Sequence, residues 1–184
     1  MQRVEAPPRD SLPKPAADLL ALAVGPDGEP LGTIEVLGHC PPLLGPFLGW
    51  AAALALEGTL SHRDHEILAL RASYRCRSAF EWAEHAGYAR QAGLTDEEIT
   101  GLGLPAPSDG WNDAESALIR AADGLIDSHE IDDGTWSALS GHYGPAALVE
   151  LVYVIGQYTM LSMVANGLGI PPTTESEPLP RRRS

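Results

Sequence analysis

Apolar residues recur every three to four positions from about residue 16 to residue 170, and no stretch alternates apolar and polar for the length of a half-buried strand. The pattern predicts an all-α chain with breaks at Gly, Pro and capping residues. A first helix falls within Ala16 to Ala23, and after the Gly25 to Pro30 break a short one covers Leu31 to Leu37. Pro41 and Pro42 open a longer helix that ends near Gly58, since proline is tolerated in a first turn and glycine terminates.

Four helix starts carry a hydroxyl or amide followed three residues later by a carboxylate: Ser61 with Asp64, Ser78 with Glu81, Thr95 with Glu98, and Asn112 with Glu115. In that spacing the cap satisfies a free amide and the acid can reach back to another. The predicted helices run from His62 to about Arg75, from Ser78 to Ala92 with a stop at Gly93, briefly from Thr95, and from Asn112 to about Ser128. Asp133 starts one more, to about His142, and Pro145 begins a long apolar helix ending near Gly167.

A chain of 184 residues suits one helical domain, here residues 16–170. The flanking segments 1–15 and 171–184 are rich in proline, the second ending in the Arg181 to Arg183 run, and both read as poorly ordered tails. Twelve Lys and Arg against 25 Asp and Glu give a net charge of -13, which disfavours phosphate backbones and anionic membranes as partners. The apolar stretches at Pro41 to Leu56 and Leu148 to Ile170 are respectively too short, and too interrupted by Glu150, Gln157 and Asn166, to be expected in a bilayer. Cys40 and Cys76 form neither a disulfide framework nor a dithiol motif, so a cytoplasmic location is expected. Long apolar helix faces in one small domain predict a homo-oligomer.

The residues with chemistry concentrate on two helices. Glu81 and His85 stand at i and i+4, so their side chains share a face, which Tyr88 extends. Trp82, Ala86 and Ala89 form a neighbouring stripe expected in the core, while Glu84 and Arg90 are expected on the solvated side. One helix earlier, Glu66 is flanked by Ile67 and Leu70, so its carboxyl belongs among apolar groups. Partial burial raises a carboxyl pKa and a neighbouring imidazolium lowers it, so Glu66, Glu81 and His85 together suit proton exchange near neutral pH. Each residue also has a structural account: Ser78 and Glu81 as cap and partner, His85 as a packed histidine, Glu66 in an ion pair with an arginine, and Trp50, Trp82 and Tyr158 as packing residues. A metal site built from His62, Glu66, Glu81 and His85 is a further alternative.

The segments Glu66-Ile-Leu-Ala-Leu-Arg71, Ser78-x-x-Glu81-Trp82-x-x-His85 and Ala89-x-x-x-Gly93-Leu94-Thr95-x-x-Glu98-Ile99 resemble the carboxymuconolactone decarboxylase and alkylhydroperoxidase D-like superfamily. Ala121-Ala122-Asp123, the Thr135-Trp136 helix and Gly156-Gln157-Tyr158 extend the likeness over most of the chain outside the tails. The resemblance implies an alkylhydroperoxidase D-like helical bundle assembling as a trimer, a hexamer or a related oligomer. It also implies departure from the peroxidase branch, whose C-x-x-C positions are occupied here by Ser78 and Glu81. Cys76 does not restore the pair, because position 79 is Ala, and peroxide reduction needs both a thiolate and a resolving thiol.

By resemblance the chain sides with the decarboxylase branch, which acts on carboxylated lactones without a cofactor. In that reading Arg71 holds a substrate carboxylate, His85 and Glu81 move a proton, and Glu66 sets their charge. Ser78, Trp82, Tyr88 and Tyr158 complete the expected substrate contacts. Decarboxylation, isomerisation, dehydration and cyclisation all remain open to such a relay, as does a non-catalytic small-molecule-binding or scaffold oligomer.

Overall fold

The computed structural model describes residues 1–24, 31–105, 110–172 and 178–180. Its elements are α1 (Lys14–Leu20), α2 (Gly32–Glu35), α3 (Pro41–Leu56), α4 (His62–Arg75), α5 (Ala79–Gln91), α6 (Asp96–Leu102), α7 (Asp113–Ser128), α8 (Asp133–His142) and α9 (Pro145–Leu168), with short 3-10 turns before α1 and after α2. No strand occurs among the described residues. The expected Gly25 to Pro30 break and the Arg181 to Arg183 run lie outside them.

α4 is the axis of the bundle. Every residue from His65 to Tyr74 is buried, because α5, α7 and α9 pack around it. A helix covered on all sides can carry Glu66, Arg71 and Ser73 inward only if each has a partner, and this requirement shapes the site. Ile67, Leu68 and Leu70 join Trp82, Leu118, Ile119, Leu151 and Val154 in the main core. α9 is long and apolar enough by composition to cross a membrane. Its polar side chains are nevertheless tied to the rest of the chain: Glu150 accepts from the backbone amides of Thr59 and Leu60, and Asn166 donates to the Cys76 carbonyl at 2.8 Å.

The predicted caps form. The Ser61, Ser78, Thr95 and Asn112 side chains accept from the backbone amides of Asp64, Glu81, Glu98 and Glu115. Only Thr95 with Glu98 and Asn112 with Glu115 close the reciprocal box. At the α4–α5 corner the Ser78 amide instead donates to the Ser73 carbonyl at 2.9 Å, and the Arg77 amide to Tyr74 at 3.0 Å. That pair of bonds is a Schellman ending with Arg77 in the left-handed region, at φ 58°. The tight corner sets α4 and α5 side by side and leaves the Glu81 carboxylate free of capping.

A second, smaller cluster of Ala16, Leu20, Ala23, Ile34 and Leu44 joins α1, α2 and α3. Leu44 is the one buried residue of α3, and Pro46 interrupts that helix's own hydrogen bonding, so α3 lies over the bundle as a cover. The first fifteen residues, proline-rich as a tail would be, run back across the body. Arg3 donates its amide to Leu168 at 2.7 Å, Arg9 pairs with Glu35, and His39 bonds the Glu5 carbonyl. Gly169, at φ 69°, ends α9 where the Met1 carbonyl would stand 2.6 Å from any Cβ, so a side chain is excluded there.

Candidate active site

Between α3 and the α4, α5 and α9 faces is a cavity of about 580 Å³, a volume typical of small-molecule sites. α3 supplies apolar wall from Phe47, Ala51, Ala52 and Ala55. The opposite end is polar: α4 brings His62, His65 and Glu66, α5 brings Glu81, Glu84, His85 and Tyr88, and α9 brings Gln157 and Tyr158.

At its centre His85 Nδ1 is 2.8 Å from Glu66 Oε2, joining the two helices across the α4–α5 corner. The carboxylate fixes the ring's orientation and leaves Nε2 directed at Glu81, whose Oε2 is 3.9 Å away. That separation is beyond a direct hydrogen bond, so the proton route between them needs a bridging group or a small movement. Glu81 is 3% exposed and its Oε1 has no hydrogen-bond partner. Burial pushes its carboxyl up to about 7, with the His85 charge opposing and the Glu84 charge reinforcing. Burial pulls the His85 imidazole down, but the charge and hydrogen bond of Glu66, helped by Glu81 and Glu84, outweigh it and hold its pKa above the usual value. An acid half-ionised near neutrality thus faces an imidazole biased towards imidazolium.

A second pair adjoins the first. His65 Nε2 is 2.8 Å from the Tyr158 hydroxyl, and the Tyr158 ring packs edge-on to His85 with centroids 4.3 Å apart. Burial takes His65 down to about 4 against the pull of Glu66, so it is neutral, and burial raises the Tyr158 hydroxyl well above its usual range. Trp50 Nε1 donates to Gln157 Oε1 at 3.0 Å, joining α3 to α9 beside the cavity.

Of the residues expected from the sequence, Glu66, Glu81, His85, Tyr88 and Tyr158 meet at this cavity. Arg71, Ser78 and Trp82 do not line it. Arg71 is fully buried on another face of α4, where Nε and Nη2 hold both Asp123 oxygens at 2.7 Å and the remaining donors serve the Leu102, Leu104 and Pro105 carbonyls. With its donors committed there it cannot receive a substrate carboxylate, and that expectation is corrected. Ser78 is a buried cap, and Trp82 is core, edge-on to Tyr74. Glu84, expected in solvent, is 2% exposed and lines the cavity, because α5 is covered on that side also. His62, Glu66, Glu81 and His85 do not assemble as a metal site: among the described residues no three His, Cys, Asp or Glu side chains converge suitably.

Sequence reasoning missed His65, Glu84, Gln157 and the α3 wall as parts of the site. A signal existed for Glu84, since it stands three residues after Glu81 and so near the same face. None existed for His65, whose partner Tyr158 lies on a helix far along the chain.

Residues 41–124, from the start of α3 into α7, match the carboxymuconolactone decarboxylase family model. No curated protein matches the sequence. Among solved structures, an AhpD-core, peroxidase-related protein from Ralstonia eutropha JMP134 superposes with a TM-score of 0.83 at 17% identity, covering 95% of this chain and 93% of that one. A peroxidase-related protein from Silicibacter sp. TM1040 gives 0.79 at 19% identity, with 95% and 93% covered. A point variant of the debrominase Bmp8, in complex with 2,3,4-tribromopyrrole, gives 0.74 at 17% identity, with 90% and 89% covered. The helical fold is therefore AhpD-like, and the likeness to the carboxymuconolactone decarboxylase family lies in residues 41–124, a little under half of the chain.

Proposed function

We propose that the protein is a cofactor-independent acid/base enzyme that moves a proton on a small carbonyl compound, by decarboxylation or by isomerisation of a lactone or related ring. The observation that carries this reading is His85, oriented by Glu66 at 2.8 Å and facing Glu81 across 3.9 Å inside the cavity. His85 is the proton carrier. As imidazolium it delivers a proton to the carbon that gains electron density when carbon dioxide or an α-proton leaves, and the Glu81 carboxylate can take a proton back. With neutral His65 carrying its proton on Nε2 and donating to the Tyr158 oxygen, the phenol hydrogen is left to meet electron density delocalised onto a carbonyl oxygen, beside the His85 ring.

A thiol cycle has weaker support. Ser78 and Glu81 stand where a dithiol would, and burial pushes the Cys76 thiol up despite the neighbouring Thr159 and Ser162 hydroxyls and the nearby Arg75 charge. The debrominase neighbour supports an enzyme on this fold that handles a small ring compound, without assigning its reaction to this chain.

The test is deuterium exchange at the α-carbon of cyclic ketones and lactones in D2O, followed by NMR. Wild-type protein should accelerate exchange on at least one, and His85→Gln should lower that rate by about 10²-fold while remaining folded. Equal rates in both proteins, or no acceleration by the wild type across the panel, would sink the reading.

A further inference from the structure

The cavity contains three buried carboxyl groups, Glu66, Glu81 and Glu84, yet no Lys or Arg is among the described residues that line it. This is not for want of arginine nearby. Arg63, Arg71, Arg75 and Arg90 all belong to α4 or α5, the helices that supply the acids. Each is engaged elsewhere: Arg63 with Glu98 and Glu115, Arg71 with Asp123, Arg75 with Asp123 and Asp127, and Arg90 with Asp96. Arg77 and Arg120 are exposed outside the cavity, and the chain's single lysine, Lys14, pairs with Asp18 on α1. Deep in the described cavity lining the imidazolium on offer is that of His85, already bonded to Glu66, while the remaining lining imidazole that is not buried, His62, stands in solvent at the start of α4.

An anion entering would leave water for a chamber walled by Phe47, Phe80, Leu54 and Leu161, facing carboxyls and no unclaimed positive charge. Desolvation without a counter-charge is unfavourable, and like charges add to it. A neutral ring has neither difficulty: apolar wall covers its carbon skeleton, and a carbonyl needs one donor, which Tyr158 or His85 provides.

We propose that this cavity takes uncharged, largely apolar cyclic carbonyl compounds and discriminates against carboxylates. The inference rests on the acid/base reading for the role of the carbonyl; it changes the substrate class that the resemblance implies, from carboxylated lactone to neutral ring, and of the two proposed reactions it keeps isomerisation and sets aside decarboxylation, whose substrate is a carboxylate.

The test compares 1-indanone with indane-1-carboxylate on the full-length protein by calorimetric titration at pH 7.5. The ketone should bind at least ten-fold more tightly. In a Gln91→Arg variant, which places a cation at the end of α5 on the cavity rim, the carboxylate should gain at least ten-fold while the ketone changes little. Carboxylate binding equal to or tighter than ketone binding in the wild type would overturn the proposal, as would failure of both to bind up to their solubility. Exchange at the indanone α-carbon, read in the same samples, separates the two claims. Lost charge preference with exchange retained sinks the substrate class alone, whereas preference with no exchange on 1-indanone or on any other compound of the panel sinks the acid/base reading alone.

Discussion

His65 and His85 both touch the ring of Tyr158, yet their surroundings shift their pKa values in opposite directions, His65 down and His85 up. The difference is the hydrogen-bond partner: a neutral phenol at His65 and a carboxylate at His85. Glu81 is the residue where this electrostatic arrangement costs stability. Its carboxyl titrates near the ordinary 4.5 in an unfolded chain and at about 7 in the fold. Between those values the folded state holds the extra proton, so its contribution falls as pH rises from about 4.5 to about 7 and is then constant. Glu81→Gln removes the ionisation. The variant should therefore be more stable than wild type at pH 8, by up to about 3 kcal/mol, with the advantage gone near pH 4. Urea unfolding at the two pH values checks it, and a constant difference would contradict the assignment. The same variant should lose proton-transfer activity, although Gln can still cap, because the carboxylate is turned to His85 rather than to the cap amide.

At the scale of elements, the helix starts were legible because a cap and its third residue are local, and the end of each helix fell within a few residues of expectation. What was not legible was direction across the bundle. Arg71 stood in the right sequence for a substrate anchor, but its partner Asp123 is 52 residues away, and only packing reveals the pairing. Removing Asp123 as an Ala variant leaves the fully buried guanidinium without its counter-charge and should cost about 3 to 5 kcal/mol. Ligand affinity in the cavity should be unchanged in the protein that remains folded. A denaturation midpoint close to wild type, or a large change in 1-indanone binding, would show that Arg71 serves the cavity after all. Glu84 was misplaced for a related reason: the pattern of α5 suggests one wet side, whereas the folded chain buries Glu84 against a cavity that α3 and α9 help to enclose.

At the scale of the molecule, α9 is apolar on nearly every side, so its periodicity cannot say which face meets the core. The structure buries Leu151, Val154, Ile155 and Tyr158 and leaves Val149, Val152, Tyr153, Met160 and Met163 substantially exposed. A stripe of this kind suits a second copy of the chain, in keeping with the homo-oligomer expected from the sequence. Light scattering at micromolar concentration should give a multiple of 19.5 kDa, and a Val149→Glu, Met163→Glu double variant should shift the mass towards the monomer. A monomeric wild type would remove self-association from this account.

The cover helix α3 separates two duties that many enzymes assign to the same side chains. The proposed acid/base groups stand on α4 and α5, deep in the bundle, while much of the volume open to a ligand is bounded by Phe47, Ala51, Ala52 and Ala55, on a helix whose one buried residue is Leu44. Enlarging or trimming the three alanines reshapes the chamber at little expense to the core, whereas Phe47 also packs against the second cluster. A lineage built on this plan can therefore exchange one ligand for another by small steps, each leaving the Glu66–His85 pair and its supporting helices as they were, and a laboratory selection could follow the same route.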